Sequence, residues 1–185
     1  PGKSPPAIPT TPVPVLDPDW EKKRENMTKE DYAKQPYDNV SYIGAAALDM
    51  HPEFVYLIRQ GLELLYLRDY SGARDYFEGL EERYPNTGVA AVIDTLIWQA
   101  LMLENFDFKY DKQYWVSTKR AREDLDQALT VEGNEAWEHF LYTGIEGIEA
   151  IHTMRQSEYL KALNLAFSAM DHLQKSRELA PDFTD

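Results

Sequence analysis

The chain has four histidines, His51, His139, His152 and His172, and no cysteine. Histidine titrates near neutral pH and is the commonest nitrogen ligand of transition metals, so its surroundings are the first place to look for chemistry. None of the four forms an HExxH pair or a ligand cluster. His139 stands one helical turn from Glu135, and His172 one turn from Ser168. Neither pair makes a site, and isolated helical histidines are read as surface or packing residues. Glu146 and Glu149 flank Gly147 in an otherwise apolar stretch. A buried carboxylate needs a partner or a shifted pKa, so the pair is either a general acid or cation ligand, or it faces solvent or pairs with Lys or Arg. We adopt the second reading. There is no glycine-rich phosphate loop, no GxSxG elbow and no thiol nucleophile. No catalytic residue, metal or cofactor is assigned, and the chain is not read as an enzyme.

The elements that would position any site are helices. Residues 54–87 read as two amphipathic helices joined by the turn Asp69-Tyr70-Ser71-Gly72 and stopped at Tyr84-Pro85. Leu57, Gly61, Leu64 and Leu65 share one face; Ala73, Phe77 and Leu80 share another. Antiparallel helices approach closely only where side chains are small, and Gly61 and Ala73 fit that need. Pro85 cannot continue a helix, because it lacks the N–H and clashes with the preceding turn.

The net charge of −13 disfavours a nucleic-acid partner, since phosphate contacts need clustered Lys and Arg, and it disfavours an anionic membrane surface. The absence of cysteine excludes disulfides and Cys-type zinc sites. No apolar run is long enough to span a membrane, and no signal peptide is present. The first residue is Pro1, so we expect a processed chain or a fragment, and we expect the natural protein to continue beyond Asp185.

Residues 1–19 hold seven of the eleven prolines and read as a disordered, extended tail, either a spacer from a membrane anchor or another domain, or a tail with no role. Residues 20–53 read as a helical extension. Asp17-Pro18 signals a helix start, Trp20 and Tyr32 are placed to tack that helix onto the rest, and residues 41–48 read as a short buried helix or an extended segment. Helix pairs follow over 54–87, 88–133 and 134–183. In the second, residues 88–105 are apolar nearly all round, as a helix covered on both sides would be, and Ala121, Leu125 and Ala128 are matched to Ala73, Phe77 and Leu80. Residues 106–115 read as a loop carrying Phe106, Phe108, Tyr110, Tyr114 and Trp115, which either binds or plugs the helix ends. In the third, Tyr159 and Ala162 repeat the spacing of Tyr70 and Ala73. Gly144 and Gly147 read as a smooth helix face for close packing.

These spacings resemble the tetratricopeptide repeat, a 34-residue helix–turn–helix module, over residues 54–183. The third repeat and the closing ELAPDFTD look like a bacterial envelope-type group of such proteins. The resemblance implies an all-α chain of antiparallel helix pairs stacked as a short right-handed superhelix, continuing beyond the fragment. It implies a non-catalytic scaffold that binds a peptide or protein on its concave face, in the bacterial envelope and periplasmic, with the cytoplasm as the alternative compartment. By register with that family, the concave face comprises Val55, Ile58, Leu62, Leu65 and Tyr66 of the first repeat and Val89, Val92, Leu96 and Gln99 of the second. The aromatic loop, Phe106, Phe108, Tyr110, Tyr114 and Trp115, stands at its edge. Few of these are polar, so no carboxylate clamp is expected; an amphipathic helix suits an apolar groove, either a partner's or residues 18–34. The alternative is a small-molecule binding protein associated with a transport system, using an aromatic-lined cavity near 106–115 and 142–148.

Overall fold

The computed structural model describes residues 26, 28 and 39–183, except 49, 51, 131, 132 and 134. The tail over 1–19 and all but two residues of the expected 18–34 helix lie outside the described residues. Among those described, every regular element is helical and no strand occurs. α1 spans Asn39–Ala47, α2 Pro52–Tyr66, α3 Tyr70–Arg83, α4 Val89–Glu104, α5 Asp111–Ala128, α6 Glu135–Arg155 and α7 Tyr159–Leu179, and a 3-10 turn covers Pro181–Phe183. Neighbours in sequence pair as hairpins: α2 with α3, α4 with α5, α6 with α7. α6 also packs on α4 and α5, and α1 packs on α2 and on the terminal 3-10 turn. The end of the chain therefore returns to its first described helix.

The three hairpins close in the same way. Arg68, Phe106 and Ser157 adopt positive φ, at 61°, 52° and 68°. In each case the next amide reaches back five residues: Asp69 to Leu64, Asp107 to Met102 and Glu158 to Thr153, all at 2.9–3.1 Å. These bonds satisfy helix-end carbonyls that would otherwise be orphaned. The following helices then start on equivalent bonds, Ala73 to Asp69, Tyr114 to Tyr110 and Ala162 to Glu158. Tyr114, and not Ala121, therefore stands where Ala73 and Ala162 stand. Matching small residues misses this, because in the second hairpin the small position is filled by a tyrosine.

α5 begins at Asp111, so Tyr114 and Trp115 lie on a helix and the connection is only 105–110. In the first hairpin the close approach at Gly61 is as expected: a Cβ there would lie 2.6 Å from the ring of Phe77 and 2.8 Å from that of Tyr76. Gly144 and Gly147 behave otherwise, since a Cβ at either meets nothing within 4 Å. Both glycines are half-buried, and the space beyond their Cα atoms is open.

The core runs through all three hairpins and includes Phe54, Phe77, Val89, Ile93, Ile97, Leu125, Trp137, Leu141 and Ile145. Polar joints hold the hairpins in place. The Glu81 carboxylate accepts from the amides of Thr87, Gly88 and Ala90 and so caps the start of α4. The Trp137 indole donates to the Thr87 carbonyl at 3.0 Å, tying α6 to the turn before α4. No helix among the described residues is long and apolar enough to cross a membrane.

Candidate ligand groove

α2 is apolar along Val55, Ile58 and Leu62 at helical spacing. α3 covers one side of it. The other side opens onto a groove of about 510 Å³. Val55, Ile58, Leu62 and Arg59 form one wall, and Gly44 of α1 lies at its end. Trp137 and Phe140 of α6, Leu173 and Arg177 of α7, and Phe183 form the other. The groove thus brings together residues more than a hundred positions apart.

Its aromatic wall is fixed from behind. Trp137 is held by its bond to Thr87 and packs edge-on against Phe54, with ring centroids 5.4 Å apart. Phe183 sits edge-on to Phe140 at 4.9 Å and to Trp137 at 6.1 Å. With the indole N–H already bonded, the wall presents carbon to the groove. Arg59 donates to the Ser41 hydroxyl at 3.4 Å. The lining can therefore take up apolar groups beside two guanidinium groups.

Of the expected binding residues, Val55, Ile58 and Leu62 line the groove. Leu65 is half-buried and packs against the core, and Tyr66 is exposed at the end of α2. Val89, Val92 and Gln99 are core residues, and Leu96 packs against the core from its edge. The second hairpin thus contributes packing at the positions where the resemblance implies a binding face. Trp137, Phe140, Leu173 and Phe183 were not in the sequence reading of the groove. The aromatic spacing of Trp137 and Phe140 on one helix was the available signal.

Three of the five aromatic residues of 106–115, Phe108, Tyr114 and Trp115, gather elsewhere, around His152. His152 is fully buried; its Nδ1 meets the Gln99 side-chain oxygen at 2.9 Å and its Nε2 meets Asp111 at 2.7 Å. Tyr114 stacks on the imidazole at 4.1 Å, and Phe108 and Trp115 stand edge-on to it. Arg155 covers Phe108 and Lys161 covers Trp115. Phe106 is exposed and Tyr110 lies against Trp98. Both imidazole nitrogens face polar side chains of the protein. Burial lowers the His152 pKa, and the opposing pull of Asp111 is smaller.

The other candidate groups are paired, except Glu138. Arg122 bridges Glu146 at 3.4 Å and Glu149 at 2.7 Å, the Lys-or-Arg pairing expected for those carboxylates. Lys119 and Arg120 form exposed pairs with Glu123 and Asp124. His139 and His172 meet through their Nδ1 atoms at 2.8 Å, and burial lowers both pKa values. Glu138 is fully buried with neither carboxylate oxygen hydrogen-bonded, and burial followed by Glu135 raises its pKa to about 7. Among the described residues no group of three or more His, Asp or Glu side chains is placed to hold a metal. No family model matches the chain, and neither a curated protein nor a solved structure was found to be similar to it.

Proposed function

We propose that this chain is a non-catalytic interaction scaffold of the tetratricopeptide type, binding a peptide or helix in a concave groove within a bacterial envelope assembly. The observation that carries this reading is the groove itself. Val55, Ile58 and Leu62 recur at helical spacing on the first helix of a hairpin and face an aromatic wall from the third. Side chains at i, i+3 and i+7 on one helix fit the anchors of a second helix. The equivalent turns at Arg68, Phe106 and Ser157 support a repeat origin for the three hairpins.

The second reading, a small-molecule binding protein, is favoured by the groove volume of about 510 Å³, within the range of roughly 300–1,000 Å³ common for ligand pockets. Affinity capture from bacterial envelope extract, with the whole chain as bait, tests the first reading. A single protein recovered with the wild type and lost with Leu62→Asp, at unchanged helicity, is the expected result. Recovery that Leu62→Asp leaves unaltered would refute groove binding. No recovered protein, with a small molecule retained in native mass spectrometry, would establish the second reading.

A further inference from the structure

The third hairpin carries an apolar surface that the groove does not use. On α7, Leu160, Leu163, Phe167 and Met170 are all large, apolar and more than half exposed, at 80%, 51%, 57% and 64%. Gln174 continues the row and is also exposed. The intervals are three, four, three and four residues. That alternation is the seam along which two α-helices coil around one another, because it returns a side chain to the same line every half heptad. A surface helix that only packs against its own domain has no need of a second apolar stripe on its outer side. The inner side of α7 is already served by Ala162, Ala169 and Ser176, which are buried; Ser176 donates to the Ala136 carbonyl of α6.

The residues beside the seam indicate what covers it. On one flank stand Asn164 and Asp171, both exposed; on the other stand Ala166 and Leu173. In a parallel pair the polar flank of one helix meets the apolar flank of the other, which would press Asp171 against Ala166 or Leu173. In an antiparallel pair like flanks meet: Asn164 faces Asp171, and Ala166 faces Leu173. The seam itself carries no charge, although the chain carries a net −13, and this arrangement places no two carboxylates opposite each other. On α6, Ile151 and Met154 are also exposed, at 43% and 53%.

We propose that this face binds a second copy of the chain, α7 against α7 in antiparallel orientation, as a two-fold symmetric dimer. The seam adjoins the groove at Leu173, which lines it, but the proposal does not rest on the groove's function. Sedimentation equilibrium of the whole chain, from micromolar to submillimolar concentration, tests it. The expected result is reversible association to twice the 21.4 kDa chain mass. The double variant Phe167→Glu, Met170→Glu should weaken that association by at least about a hundredfold, as for loss of two central anchors. Its helicity should stay unchanged, since both side chains are exposed. A wild type that stays monomeric throughout, or a variant that associates as tightly, would overturn the proposal. Orientation is read by disulfide trapping, which the absence of native cysteine makes clean. Copies carrying Asn164→Cys should cross-link to copies carrying Asp171→Cys faster than either cross-links to itself. Faster self-linking of Asn164→Cys would overturn the antiparallel arrangement.

Discussion

The groove and the His152 box are both rich in aromatic side chains, yet they are opposite kinds of place. In the groove, Trp137, Phe140 and Phe183 are braced from behind and leave their carbon faces toward open space. In the box, Phe108, Tyr114 and Trp115 close on a histidine whose two nitrogens are already taken by Gln99 and Asp111. The difference lies in what stands at the centre. A buried polar ring with satisfied bonds draws aromatic residues inward and shuts the site. A wall whose polar atoms are satisfied elsewhere, as the Trp137 indole is at Thr87, can stay open.

Removing the centre of the box is the severest test of this contrast. His152→Ala leaves a void among three aromatic rings and strips the Gln99 side-chain amide of its partner. The expected loss is about 3–4 kcal/mol in urea unfolding, from the cavity and the unpaired polar group together. A loss below about 1 kcal/mol would show that the box is not closed around His152.

The two regions should also separate in their response to pH. The lowered pKa of His152, like those of His139 and His172, means that the unfolded chain takes up these protons more readily. Their contribution to stability is present above the unfolded value near 6.5 and is lost as pH falls through the folded values. Glu138 acts with the opposite sign. Its pKa is raised from 4.5 to about 7, so its contribution is present below 4.5 and is lost as pH rises through about 7. Glu138→Leu should therefore stabilise the protein above neutral pH, by roughly 3 kcal/mol, and much less in acid. Unfolding curves on either side of neutrality check this, and an effect independent of pH would refute it. Amide exchange in mild acid should rise around Tyr114 and His152 before it rises around Ile58 and Leu62.

The smallest of the three effects concerns the wall behind the groove. Gly61→Ala places a methyl group 2.6 Å from the Phe77 ring. Overpacking of this kind costs about 1–3 kcal/mol, and the better helix propensity of alanine returns roughly 0.5–1 kcal/mol. A net loss of about 1–2 kcal/mol is expected in thermal unfolding. A stabilised variant would mean that α2 and α3 are less closely packed than Gly61 implies.

The helices were legible because each carries its own punctuation: Asp69 before Tyr70-Ser71-Gly72, Pro85 after Tyr84, and the glycine at Gly88. The second hairpin was misregistered for a definite reason. Its small position is occupied by Tyr114, so alignment on alanine moved it to Ala121, and the same shift left Tyr114 and Trp115 in a loop. The groove was half legible. Val55, Ile58 and Leu62 follow from periodicity on one helix. Trp137 and Phe140 reach the groove through the packing of a remote hairpin, and Phe183 through the return of the 3-10 turn to α1, and no local pattern encodes either.

Taken alone, the sequence determined the all-helical class and the first hairpin with its turn at Asp69-Tyr70-Ser71-Gly72. These rest on interactions within a few residues: side-chain period, caps, and the refusal of proline to extend a helix. Tertiary structure decided which apolar faces are covered. It sent Val92 and Gln99 into the core, closed Phe108, Tyr114 and Trp115 over His152, paired Glu146 and Glu149 with Arg122, and left Leu160, Leu163, Phe167 and Met170 outside. The physical reason is that periodicity shows that a face is apolar, while burial depends on a partner surface that is remote in the chain.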